Sequence, residues 1–154
     1  MSDQLTQIWV PAGIIFAFQI QMVRWRIDRE VSMEAQAERT WLPLCDYLNL
    51  VSMIVTAFFV FVGPILILDG DATASVGLAK YGVGLTAIFL IGYLVSLLGH
   101  YRLLWGGAGS RPRVPVQELI AVTITVIVAA AYVCAVWGDV ARFLPFARMS
   151  AWQT

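Results

Sequence analysis

Charge is scarce in this chain. Asp, Glu, Lys and Arg make up 13% of 154 residues, against about 25% in an average soluble domain. Ten basic and ten acidic side chains cancel. A neutral molecule has no field to steer a polyanion, so nucleic acid is not an expected partner. Histidine occurs once, at His100, which excludes a bis-histidine haem site within one chain. Two cysteines, Cys45 and Cys134, are too few for a disulfide framework. They fall toward opposite faces of the membrane in the topology below, so they are expected to stay unpaired as small buried hydrophobes. No serine or cysteine sits in a hydrolytic triad pattern. The glycines at 106–110 follow no strand, so they form neither a P-loop nor a dinucleotide fingerprint. Neither metal nor cofactor is expected, and enzymatic activity is not the favoured reading. No Lys or Arg precedes the first apolar run to act as a signal-peptide n-region, and that run is expected to remain as a permanent span.

What is abundant is apolar: 60% of residues are hydrophobic. Residues 47–68 read YLNLVSMIVTAFFVFVGPILIL, without a charge. About 20 such residues in a helix cross the hydrocarbon of a bilayer. A soluble helix has no need to be apolar on every side. Three further runs share the pattern. The expected fold is all-α: an integral membrane four-helix bundle, one domain over 1–154, with spans at about 5–23, 47–68, 76–99 and 115–137. No breaker follows the first span, so its helix is expected to continue over 24–39 as an amphipathic cytoplasmic extension, with Val23, Ile27, Val31 and Ala35 recurring every four residues. Arg24/Asp28 and Arg26/Glu30 are spaced as i,i+4 pairs. Trp9 and Trp25 mark the two ends of that span. Residues 69–71, Asp-Gly-Asp, form a turn that ends one helix and caps the next. Pro64 is expected to kink the second span after Gly63. The tail over 139–154 is expected to lie along the membrane interface.

Polar residues are costly in lipid, so their placement matters. Asn49, Ser52 and Thr56 fall on one edge of the second span. Gly92 and Ser96 form a small-xxx-small pair on the third, and His100 continues that row. Thr125 lies on the face of Glu118 in the fourth. These residues line either helix interfaces or, if copies assemble, a pore. Asp46, His100 and Glu118 all fall near the same ends of their spans. A histidine with two carboxylates can hold a cation or pass a proton, and the competing reading is three separate helix-end groups. Arg24, Arg26, Arg29, Arg111 and Arg113 are expected to meet lipid headgroups.

Orientation follows from the basic residues. The loops after spans one and three carry seven of them and the other side three. Both termini are therefore expected on the non-cytoplasmic side, in a membrane of the bacterial inner-membrane type. The functional expectation is a non-enzymatic subunit or assembly component of a membrane complex. One alternative is a homo-oligomeric channel or transport unit lined by the polar edges of spans two and four. The other is a membrane redox or proton-relay subunit. The expected partners are the lipid bilayer and either further copies of the chain or a larger membrane complex.

Overall fold

The computed structural model describes residues 2–34, 43–68, 71–101, 103–104 and 115–143. Among them every regular element is helical. α1 is Ser2–Glu34. The second rod has three consecutive pieces: α2 (Leu44–Val55), a π-helical segment (Thr56–Val62) and α3 (Gly63–Leu68). α4 is Ala72–His100 and α5 is Val116–Phe143. Four stretches are long and apolar enough to cross a membrane: Asp3–Arg29, Leu44–Ile67, Ala72–His100 and Val116–Val136.

The helices begin earlier or end later than hydropathy alone suggested, because capping and packing set the ends. α2 starts directly after Pro43, whose missing N–H costs nothing there. α4 starts at Ala72 because the Asp71 carboxylate accepts from the N–H groups of Thr73 and Ala74, each at 3.0 Å. That is the capping half of the expected 69–71 turn; Asp69 and Gly70 lie outside the described residues. α1 continues past its apolar stretch to Glu34. Residues 35–39 of the expected extension lie outside the described set, as does the tail beyond 143.

The expected break near Pro64 takes a different form. Gly63 N–H bonds back to the carbonyl of Phe58, five residues earlier, so the helix widens into π geometry before the proline. A proline supplies no N–H to the carbonyl four residues before it, which here is that of Val60. That carbonyl accepts from Trp9 Nε1 at 2.7 Å. Trp9 is therefore tied to a neighbouring helix as well as lying near the end of its own span. Gly82 lets α4 approach this wider segment: a Cβ there would lie 2.8 Å from the Cβ of Phe59.

α4 is central and packs against every other rod. Its N-terminal end meets α1, where Leu5 packs on Val76 and Ala79. α1 and α4 thus run in the same direction, and α2 runs against both. On α1 the buried residues are Leu5, Ala12, Gln19 and Arg26, between 2% and 6% exposed. They recur every seven residues, two helical turns, and form one narrow seam. Ile27 and Val31 of the expected four-residue stripe lie off this seam and are exposed; Ala35 lies outside the described residues.

A polar junction as candidate functional site

The seam on α1 changes character along its length. Leu5 and Ala12 are apolar, whereas Gln19 and Arg26 reach polar partners on α2. Gln19 Nε2 donates to Ser52 Oγ at 2.7 Å. Ser52 Oγ in turn donates to the Thr86 carbonyl at 3.2 Å. Thr56 Oγ1 donates to the Ser52 carbonyl at 2.8 Å and lies 2.9 Å from Thr86 Oγ1. Threonine and serine next to a helix carbonyl satisfy themselves inside lipid in this way, and they also join neighbouring helices.

One seam position further, Arg26 grips Asp46 like a fork. Nε lies 3.1 Å from both carboxylate oxygens, and Nη2 lies 3.0 Å from Oδ2. Arg26 is 4% exposed and Asp46 6%. The expectation that Arg26 meets lipid headgroups is thereby corrected; the side chain of Glu30, its expected i,i+4 partner, lies outside the described set. A guanidinium facing the helix interior is desolvated, and only a two-point carboxylate partner offsets that cost. Arg26 Nη1 also donates to Tyr101 OH at 3.1 Å. The Arg29 guanidinium donates to the same oxygen. Arg24 is exposed and sits 3.9 Å from Asp28. Arg111 and Arg113 lie outside the described residues.

Glu118 is the hub of the second half of the junction. It is 0% exposed and sits in the first turn of α5. Oε2 lies 2.9 Å from His100 Nδ1, at the last residue of α4. Oε1 accepts the backbone N–H of Cys45 at 2.9 Å. Pro43 gives α2 no side-chain cap, so a carboxylate 73 residues away performs that task. One carboxylate therefore faces the positive ends of two helices, α2 and α5, while His100 occupies the negative end of a third. Asp46 is linked to this hub through Cys45, whose Sγ lies 3.9 Å from Asp46 Oδ1.

Asp46, His100 and Glu118 thus share one junction but sit in two pairs, Arg26–Asp46 and His100–Glu118. Among the described residues no group of three or more His, Cys, Asp or Glu is placed to hold a metal ion. Asn49, Ser52, Thr56, Gly92, Ser96 and Thr125 are all buried within the single chain. Ser96 Oγ approaches the Glu118 carbonyl at 3.4 Å. Gly92 lies against the Thr125 side chain. Thr125 Oγ1 bonds its own helix at Ala121 O, 2.8 Å. Cys45 is buried and Cys134 exposed, and both are free.

Sequence reasoning missed Arg26 and Tyr101 as members of the junction. A signal for Arg26 was present: it stands seven residues after Gln19 and fourteen after Ala12, so all three share a face. Nothing local marks Tyr101, which is brought in by the end of α4.

Comparison with known protein families, with curated proteins and with solved structures finds no match to this chain.

Proposed function

We propose that this chain is a non-enzymatic component of a membrane complex, acting through association within and beside the bilayer. The observation that carries the reading is the use of its ionisable groups. Arg26 and Asp46 hold each other, and Glu118 is divided between His100 and the start of α2. Such groups fix helix ends to one another. A second feature supports association. α1 has 33 residues, about 50 Å at 1.5 Å each, which exceeds the ~30 Å hydrocarbon of a bilayer. Its far end carries exposed Ile27 and Val31 one turn apart, beside charged Arg24 and Asp28. This amphipathic extension belongs in the cytoplasm on our reading. The excess of basic residues in the loops after the first and third rods is the support for that orientation, with both termini outside; a membrane of the bacterial inner-membrane type is part of the same proposal.

The test is native mass measurement in mild detergent. A stoichiometric protein partner that is lost from the Ile27→Glu/Val31→Glu double variant supports the reading. A lone monomer that stays lone after extraction in native lipid overturns it. An oligomeric channel is less well supported, since its expected lining residues face the interior of one chain. A redox or proton-relay subunit is the second reading, favoured by the direct contact of His100 with Glu118. It fails if His100→Ala leaves proton flux and electron transfer in reconstituted vesicles unchanged.

A further inference from the structure

Lys80 is the one Asp, Glu, Lys or Arg residue in α4. It stands inside a helix that crosses the membrane from Ala72, about 12 Å from that end. The other basic side chains described are all engaged: Arg24 with Asp28, Arg26 with Asp46, and Arg29 with Tyr101. Lys80 is exposed and forms no ion pair among the described residues. An ammonium at that depth needs an anion, and the described residues supply none.

Lys80 also lines a cavity of about 350 Å³ between α1, the π-helical segment and α4. Because α1 and α4 run in the same direction, Gln7 and Lys80 share one end of it, and Ile15 and Leu90 the other. From Lys80 to Leu90 is roughly 15 Å of helix, half of the ~30 Å hydrocarbon of a bilayer. The cavity therefore has the depth of one leaflet. Its unspent polar groups, the Lys80 ammonium and the Gln7 amide, belong to the Asp71 end. Deeper in the wall, Thr56 and Thr86 bond to each other and to the Ser52 carbonyl, so they ask nothing of an occupant. Ile15 and Val83, also on the wall, are exposed, so the cavity opens sideways to lipid.

We propose that this cavity is a binding site for an anionic phospholipid from the leaflet at the Asp71 end. Its phosphate meets Lys80 and Gln7, and one acyl chain lies in the cavity toward Ile15 and Leu90. Charge selects the head: a lipid phosphate is the anion that stands at the height of a lysine near the membrane interface. Depth selects the tail, since one leaflet's acyl chain and this cavity have the same length. A zwitterionic lipid fills the same space, but its own cation competes with Lys80 for the phosphate. The inference stands apart from the protein partner proposed above and from which end of the chain faces the cytoplasm.

The test uses the full chain in nonionic detergent and native mass spectrometry. The probes are phosphatidylglycerol and phosphatidylcholine with identical acyl chains, and oleate. The expected result is saturable binding of phosphatidylglycerol, about fivefold tighter than phosphatidylcholine, the contribution of one lysine near an anionic lipid surface. Lys80→Gln is expected to remove that preference and leave phosphatidylcholine binding unchanged. Arg24→Gln, which removes an exposed cation near the other end of the first span, is expected to keep the preference. Ala87→Phe occupies the acyl part of the cavity from its exposed side and is expected to abolish saturable binding of both lipids. Ala130→Phe, exposed on α5, is expected to leave both intact. Equal binding of the two lipids, a preference that survives Lys80→Gln or falls as far in Arg24→Gln, or undiminished binding by Ala87→Phe overturns the proposal. So does Lys80-dependent binding of oleate in place of phosphatidylglycerol, or a dimer that Ala87→Phe dissociates, since a fatty acid or a second copy is then the occupant.

Discussion

The indole N–H of Trp9 bonds the carbonyl of Val60 at 2.7 Å, which is the carbonyl that Pro64 leaves without its α-helical partner. A breaker in one helix is thus answered by a side chain in another. The two residues should be energetically coupled. Trp9→Phe is expected to lower stability by about 1 kcal/mol, within the range of interhelical hydrogen bonds in membranes. Pro64→Ala restores an N–H near Val60, so Trp9→Phe should cost measurably less in that background. Reversible unfolding in mixed micelles gives both numbers, and equal costs in the two backgrounds would contradict the coupling.

Arg26 and Asp46 form the most desolvated ion pair described in the chain. Removing one partner strands a buried charge, which typically costs ~3–5 kcal/mol. Arg26→Ala and Asp46→Ala should each destabilise strongly, whereas Arg26→Met/Asp46→Leu should recover much of the loss. Cys45 offers the readout. It is fully buried beside the pair, so maleimide should reach it slowly in the wild type and in the double variant, and fast in either single one. Cys134, near the end of the fourth span and remote in sequence from the pair, should label at one common rate in all four.

Glu118 caps α2 from a distance, and its two oxygens have separate duties. Glu118→Gln keeps an acceptor for the Cys45 N–H. Glu118→Leu removes it and should cost about 1–3 kcal/mol more, the penalty for an unsatisfied buried group. Amide exchange at Cys45, followed by NMR, should quicken in the leucine variant and change little in the glutamine one.

Gly99 lets α4 touch the backbone of α5. A Cβ there would lie 2.8 Å from the carbonyl carbon of Gln117 and 2.9 Å from Glu118 N. Backbone cannot swing aside as a side chain can, so Gly99→Ala should force the helices apart. The expected cost is ~1–3 kcal/mol. Gly13, with nothing near its Cβ position, is the control: Gly13→Ala should be neutral or slightly stabilising.

Much of this architecture was readable from composition. Long uncharged runs dictate membrane-length helices because lipid offers backbone groups no other partner. The small and hydroxylated residues of the second and third rods marked faces that should turn away from lipid, toward other helices or a pore. Arg26 shows where such reading stops. Its neighbours in sequence, Arg24 and Asp28, are solvated, and only the position of α2 decides that the middle arginine turns inward.

The amino-acid order alone settled the number of apolar helices and the identity of their polar edges, because both depend on solvation residue by residue. Which carboxylate meets which base was a tertiary decision. Asp46 and Glu118 lie on different helices and at similar depth, and either could in principle meet Arg26 or His100. The choice rests on the rotation of α1, set by its seven-residue seam, and on the close approach of α4 to α5 at Gly92 and Gly99. Both are properties of surfaces in contact, which no single segment carries.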